Sequence, residues 1–446
     1  MKKTRDNYTF LTEAPVHKVV FTMAIPTIIS MLSTSMYNLA DTYFVGSINT
    51  QSVAAVGISF AMMAVIQAVG FFYGHGAGNY ISRKLGAKEE ENARKMATTG
   101  FVLSFLTGLV IAILGQLFLT PLCLTLGSTP TILPYTERYL GIILLGAPFM
   151  TTSLTLNNMM RFQGNTMYAM KGIMSGVLLN LILAPLLILY FELGITGAAI
   201  ATLISQCFGC TILFWMTHKG QNIRIHLRYF TPSKAYAKEI IFGGSPFPVK
   251  TRLGKYRHLG IECGSGSLRR CCHCRHEHRH PHLFLYLCCG NRIGSRIPAS
   301  LWFLLWSQTI CPRQGSFYYC IKCGTIFLAI CAVIGFIFSE PIIELFRDDA
   351  KVIEVGSMAL KWQVISFPLV ATIVLTNMLM QTIRKPIRAN IVAGARSGLF
   401  FIPLIFILPH FFGLLGVEMC QAWADFCSFA VAIPIAWSAF RDMRKV

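Results

Sequence analysis

Long apolar stretches alternate with short polar ones along the chain, and many of the apolar stretches reach the length of about 20 residues that a helix needs to cross a bilayer core. They cover residues 19–38, 53–72, 101–119, 139–156, 173–190 and 195–215, then 326–339, 359–378, 399–412 and 426–437. In lipid a backbone must bond its own N–H and C=O groups, so each stretch is expected to be an α-helix. The pattern predicts an all-α polytopic membrane protein.

Composition sharpens this picture. Of the 446 residues, 54% are hydrophobic and 13% charged, too few charges to cover a soluble protein of this size. A formal net charge of +20 would suit a nucleic-acid partner, but its distribution points to a membrane. Basic residues cluster at Lys2, Lys3, Arg5 and Lys18, then within 83–95, 219–238, 384–388 and 441–445. The alternate loops 46–52, 120–134 and 191–194 carry almost none, and 340–349 is net acidic. Basic loops stay in the cytoplasm, which places both termini there, requires an even number of spans and fits the plasma (inner) membrane. Lys2, Lys3 and Arg5 precede a long first span without a small-residue cleavage site, so that span is read as a retained anchor.

The chain repeats itself. Pro26 and Pro246, Pro121 and Pro341, and Pro148 and Pro368 share an offset of about 220 residues; Gln163 and Gln381, and Pro185 and Pro403, share one of about 218. Two copies of six spans keep the same orientation and form two bundles about an axis normal to the membrane. The expected layout is twelve helices, with a six-helix lobe over 1–220, a cytoplasmic linker over 221–240 and a second six-helix lobe over 241–446. The apolar pattern shows ten of these spans; the missing pair are the seventh and eighth.

Residues 245–316 break the pattern. They hold half of the histidines and cysteines, including Cys271, Cys272, His273 and Cys274, then His276, His278, His280 and His282. Such spacing alone suggests zinc, and a membrane-anchored zinc-binding protein is one reading. The segment falls, however, where the repeat requires two spans. Plausible codons for residues 270–280, shifted by one nucleotide, read D-A-A-I-A-A-M-S-I-V-T, which suits a membrane helix. The same shift turns 298–309 into Q-P-A-C-G-F-C-Y-G-A-K-L, whose Gly-Ala falls on Trp306 and Ser307, about 220 residues after Gly86 and Ala87. Two compensating indels are therefore expected to have scrambled the seventh and eighth spans, and no metal site is expected. A transporter inactivated by that damage is a further reading.

Several strings carry a family resemblance: Ala24-Ile25-Pro26, Asn38 to Gly46 (NLADTYFVG), Gly74 to Ala87 (GHGAGNYISRKLGA), Arg161 to Asn165 (RFQGN), Asn180 through Pro185, and Gly194 to Ala199 (GITGAA). Together they resemble the multidrug and toxic compound extrusion (MATE) family over the whole chain outside 245–316. Asn38-x-x-Asp41 looks like its DinF-like branch. The resemblance implies alternating access and efflux of drug-like, often cationic, organic compounds against protons or sodium. It also implies a monomer without cofactor. The alternative within transport is a lipid-linked sugar or polysaccharide flippase, which would favour cations in the cavity spans; the notable charge in the first lobe's spans is the acidic Asp41.

Asp41 stands near the end of the first span in apolar sequence, where a carboxylate is costly unless it is functional or paired. From the residues alone it is either an exchanging group or an interfacial cap; the resemblance makes it the coupling carboxylate. Asn180 and Thr202 are either interhelical glue or, by the resemblance, part of the cation site. The family often carries an Asp four residues after this Asn. Here Ala184 stands in its place, which removes a sodium ligand and favours protons. Pro26 frees backbone groups in the first span and either bends it during transport or kinks it statically. Tyr37 and Asn157 either face the first lobe's cavity, by position match, or serve as packing or interhelical glue. Residues 74–86 are glycine-rich but lack the Lys-Ser/Thr ending of a phosphate loop, and are read as a close helix approach followed by a turn. No Ser-His-Asp arrangement appears, so the chain is not expected to be an enzyme. Its expected partners are small organic substrates and the lipid bilayer, not nucleic acid.

Overall fold

Every regular element among the described residues is a helix. The computed structural model describes residues 16–46, 48–220, 222–244, 314–344, 350–383 and 385–443. They fall in two compact units, one within Met1–Pro248 and the other within Val249–Val446. The segment expected to be scrambled, with its His/Cys run and the seventh and eighth spans, lies outside the described residues except for its last three positions.

The first unit contains α1 (Val16–Gly46), α2 (Thr50–Gly86), α3 (Glu90–Leu117), the short α4 (Leu119–Thr125), α5 (Leu133–Leu145) and α6 (Ala147–Phe162). Then come α7 (Thr166–Pro185), which runs into a π turn at Leu186–Tyr190, α8 (Gly194–Thr217) and α9 (Lys234–Gly244). Local chemistry sets the ends. The Asn49 side chain accepts from Ser52 N at 2.7 Å and caps α2. Between α2 and α3 the chain turns through Lys88 at φ 60°, and Glu89 N donates to the Lys84 carbonyl at 2.8 Å. Glu90 and Glu91 occupy the first turn of α3, where they complement the helix dipole. Lys84 and Asn92 both donate to Glu89 and hold its carboxyl below the usual range.

Small residues let the helices approach closely. A Cβ on Gly70 of α2 would lie 2.9 Å from the Thr151 carbonyl of α6, and one on Gly176 of α7 would lie 3.0 Å from the Ser205 carbonyl of α8. Hydroxyls then join the helices: Thr151 donates to the Ser104 carbonyl of α3 at 3.0 Å and Thr155 to the Gly70 carbonyl at 3.1 Å. The close approach and turn expected over 74–86 are both present. α5 and α6 meet at Gly146 with a bend of 51° and only together are long and apolar enough to cross a membrane.

The second unit contains α10 (Gln314–Ile337), the short α11 (Ser339–Glu344), α12 (Ala350–Ile365) and α13 (Phe367–Thr382). α14 (Pro386–Gly394) runs through a π turn at Ala395–Leu399 toward α15 (Phe401–Met443), which breaks at Gly413 with φ 57° and ψ −130°. α12 and α13 again meet with a bend of 51°. The expected repeat is visible in these ends. Leu117 and Ile337 close the long helices, Gly146 and Ser366 mark the bends, and Pro148 and Pro368 follow them, all at the offset of about 220. One boundary needs correcting. The last span does not begin near 426, because the helix resumes after Gly413 and carries Gln421 and Asp425, both buried, within it.

Candidate coupling site

α1 is built to loosen around its proline. Pro26 supplies no N–H, and three hydroxyls bond back one turn: Thr27 to the Met23 carbonyl at 2.9 Å, Ser30 to that of Pro26 at 2.8 Å and Thr34 to that of Ser30 at 2.8 Å. Such back-bonds weaken and bend a helix. Roughly four turns further along the same helix, Asp41 is 5% exposed and its Oδ1 has no hydrogen-bond partner.

Two tyrosines, from α1 and α5, lie within reach of this carboxylate, and a polar pair joining α7 to α8 adjoins one of them. Tyr37, one turn earlier on α1, lies beside Thr202 of α8 and within electrostatic reach of Asp41. Tyr139 of α5 also lies within electrostatic reach of Asp41. Asn180 of α7 donates its amide to Thr202 Oγ1 at 3.4 Å, which leaves its own carbonyl oxygen available. Tyr139, Asn180 and Thr202 are all buried. Among the described residues the arrangement offers one carboxylate, hydroxyls and an amide oxygen, without a histidine or cysteine. Oxygen sets of this kind suit a proton or a hard cation. Ala184, also buried, adds a methyl group to a cluster that includes Ala198, Ala199 and Ala201.

Of the residues singled out in the sequence, Tyr37 lies within reach of Asp41 and beside Thr202, Asn180 bonds Thr202, and Pro26 lies on the same helix as Tyr37 and Asp41. Asn157 does not join them. It is buried and donates its amide to the Ala169 carbonyl of α7 at 3.1 Å, an interhelical bond. Tyr139 was absent from the sequence reading because it looked like the unremarkable start of a span.

A second buried polar centre, also unforeseen, lies in the second unit. Asp425 of α15 is fully buried and accepts from Arg396 Nε at 2.6 Å, Arg396 Nη2 at 3.2 Å, Ser366 at 2.9 Å and Gln421 at 2.9 Å. Arg396 sits in the π turn and Ser366 at the bend between α12 and α13. One carboxylate thus fastens the irregular points of three elements. The available signal was the repeat: an offset of about 218 sets Asp425 opposite Cys207, in the middle of an expected span.

The MatE family profile matches residues 26–186 and 314–407, more than half of the chain. The chain belongs to the MatE family. Its members are transporters, and this MatE protein is a multi-pass membrane protein by its apolar helices. It is 26% identical over 443 residues to the multidrug export protein MepA of Staphylococcus haemolyticus strain JCSC1435, covering 96% of this chain and 95% of that protein. It is 25% identical over 429 residues to MepA of Staphylococcus aureus strain MRSA252, covering 92% and 90%. Among solved structures, a crystal structure of MATE in the straight conformation superposes with a TM-score of 0.87 at 21% identity over 100% of both chains. One in the bent conformation gives 0.86 at 21% identity over 99% of both. The fold is therefore that of MATE proteins. Pro26, Tyr37, Asp41, Tyr139 and Asn180 all lie in the first matched stretch.

Proposed function

We propose that this MatE protein is a secondary active exporter of drug-like, often cationic, organic compounds, working by alternating access in exchange for a cation that enters at Asp41. The observation that supports this is a carboxylate 5% exposed, with an unpartnered oxygen, within electrostatic reach of Tyr37 and of Tyr139 on a second helix, where Tyr37 also adjoins the Asn180–Thr202 pair. A buried carboxylate must be neutralised by a proton or a cation, and the helix that carries it is loosened at Pro26, so neutralisation and helix shape can be linked. The multidrug export named for the staphylococcal relatives supports the substrate class. The methyl of Ala184, where another oxygen ligand would help a metal ion, favours protons over sodium. In this reading the protein is a monomer of the inner membrane with both termini cytoplasmic, and it needs no cofactor.

The test is drug efflux in everted membrane vesicles energised by an imposed gradient. Asp41→Asn is expected to abolish gradient-driven efflux while the amount of protein in the membrane stays the same. Near-normal efflux by the variant would remove Asp41 from the coupling role.

A further inference from the structure

At the end of the first unit where α2 meets α3, basic side chains are distributed in two different ways. On the α2–α3 edge they are matched: Lys84 pairs with Glu89 at 2.7 Å, Arg94 with Glu90 at 3.1 Å and Lys95 with Glu91 at 2.7 Å. On the α8–α9 edge they are not. No Asp or Glu occurs between Glu192 and Glu239, and Glu239 is engaged by Arg83 at 2.7 Å. Lys219, Arg224, Arg228, Lys234 and Lys238 are all exposed, and among the described residues none of the five has an acidic partner.

This surface is a built one. Asn165 donates to Asn222 at 2.6 Å, Ile223 N donates to Gln163 at 2.8 Å, and Asn222 donates to the Met216 and Lys219 carbonyls at 2.9 Å. Ile223 and Ile225 are buried in the unit's core, so Arg224 between them faces outward, as do His226 and Arg228 beyond them. The loop nevertheless presents Leu227 with 71% of its surface exposed, and Trp215, near the end of α8, is 51% exposed with Lys219 Nζ 3.8 Å over its ring. α8 has 24 residues and is about 36 Å long, against a hydrocarbon core of about 30 Å. Trp215 therefore falls at the level where a membrane-spanning helix meets the headgroups.

We propose that the end of α8, the loop after it and the exposed side of α9 form a docking surface for acidic phospholipid headgroups. Leu227 and Trp215 reach the apolar boundary while Lys219, Arg224 and Arg228 meet the phosphates, the division of labour seen where basic amphipathic surfaces rest on membranes. A nucleic acid would satisfy the charges but would leave Leu227 without an apolar partner beside a membrane span, so the lipid is the better fit.

The experiment uses the full chain in nanodiscs of neutral phosphatidylcholine doped with brominated phosphatidylglycerol or brominated phosphatidylcholine. Quenching of Trp215 is read as the difference between wild type and Trp215→Phe. Brominated phosphatidylglycerol is expected to quench Trp215 at mole fractions where brominated phosphatidylcholine does not. Each basic group near an acidic surface contributes about fivefold, so Lys219→Gln/Arg224→Gln/Arg228→Gln should reduce that preference by roughly tenfold to a hundredfold. Lys84→Gln/Arg94→Gln/Lys95→Gln on the matched edge should keep it. Equal quenching by the two lipids in the wild type would overturn the proposal, as would an unchanged preference in the first triple variant. Binding of an RNA oligonucleotide by a wild-type protein that shows no preference for phosphatidylglycerol would overturn it in favour of a nucleic acid.

Discussion

Asp425→Asn is a severe test of the second unit, because the carboxylate it replaces has no acceptor capacity to spare. Four bonds of 2.6–3.2 Å converge on Asp425 from Arg396, Ser366 and Gln421. An asparagine keeps one oxygen and turns an NH₂ group toward groups that are themselves donors. Arg396, 8% exposed, loses the carboxylate it is bonded to, and breaking a buried pair from one side costs about 3–5 kcal/mol. Ser366 keeps an acceptor in the Gln363 carbonyl at 3.0 Å, so the loss is set by the buried pair, about 3–5 kcal/mol. At roughly 2–4 °C per kcal/mol for a unit of this size, the unfolding midpoint should fall by about 6–20 °C. Replacing a whole buried pair with apolar groups is close to neutral, so Arg396→Met/Asp425→Leu should recover most of the loss. Thermal unfolding in detergent, followed with a thiol-reactive fluorophore, separates the units: Cys320 and Cys420 are buried in the second, Cys123 and Cys210 in the first. A midpoint for Asp425→Asn within about 3 °C of wild type, or a double variant as damaged as the single one, would refute the reasoning.

The proton preference can be checked in proteoliposomes given a pH gradient or a sodium gradient alone: efflux should follow the pH gradient, and full-rate efflux on sodium alone would reverse the assignment. Ala184→Asp should then raise the dependence on sodium, because it supplies the missing oxygen ligand. A Cβ on Gly76 would lie 2.7 Å from the Ile240 Cα, so Gly76→Ala should lift α9 off α2 at a cost of about 1–3 kcal/mol. Hydrogen exchange of the α9 amides should rise while that of α7 and α8 stays unchanged, and unaltered exchange in α9 would count against this packing.

Hydropathy places α8 (Gly194–Thr217) within two residues at 195–215 because that helix carries no charge, whereas the apolar stretches at 101–119 and 173–190 begin after the charges that lie near the starts of α3 and α7. The repeat was legible because prolines mark helix starts and breaks, and the paired ends Leu117 and Ile337 keep its offset. The bends were not legible. Residues 139–156 are apolar on both sides of Gly146, and an average over them sees one straight helix where the structure bends by 51°. Asp425 falls outside the apolar stretch 426–437 because hydropathy charges each residue for its own polarity. The partner that makes Asp425 tolerable in a helix interior lies 29 residues away and becomes a neighbour only after folding. Asp41 escaped that error because its motif marked it. For Asn157 the sequence left a cavity-facing and a glue reading open, and its bond to Ala169, which is of the second kind, depends on how closely α6 approaches α7.

The bent span of the first unit also constrains how the protein enters its membrane. α5 has 13 residues and α6 has 16, lengths of about 20 and 24 Å that fall short of the core of about 30 Å, and only taken together do they qualify as a crossing. α6 is also the more polar of the two, with Thr151, Thr155, Asn157 and Arg161 all buried. The first three are satisfied by carbonyls of α2, α3, α6 itself and α7. A nascent chain that presented this segment to lipid alone would expose those groups before their partners existed. Biogenesis must therefore retain the fourth span next to the earlier helices until α7 has been made, so the bend sets an order of assembly as well as a shape.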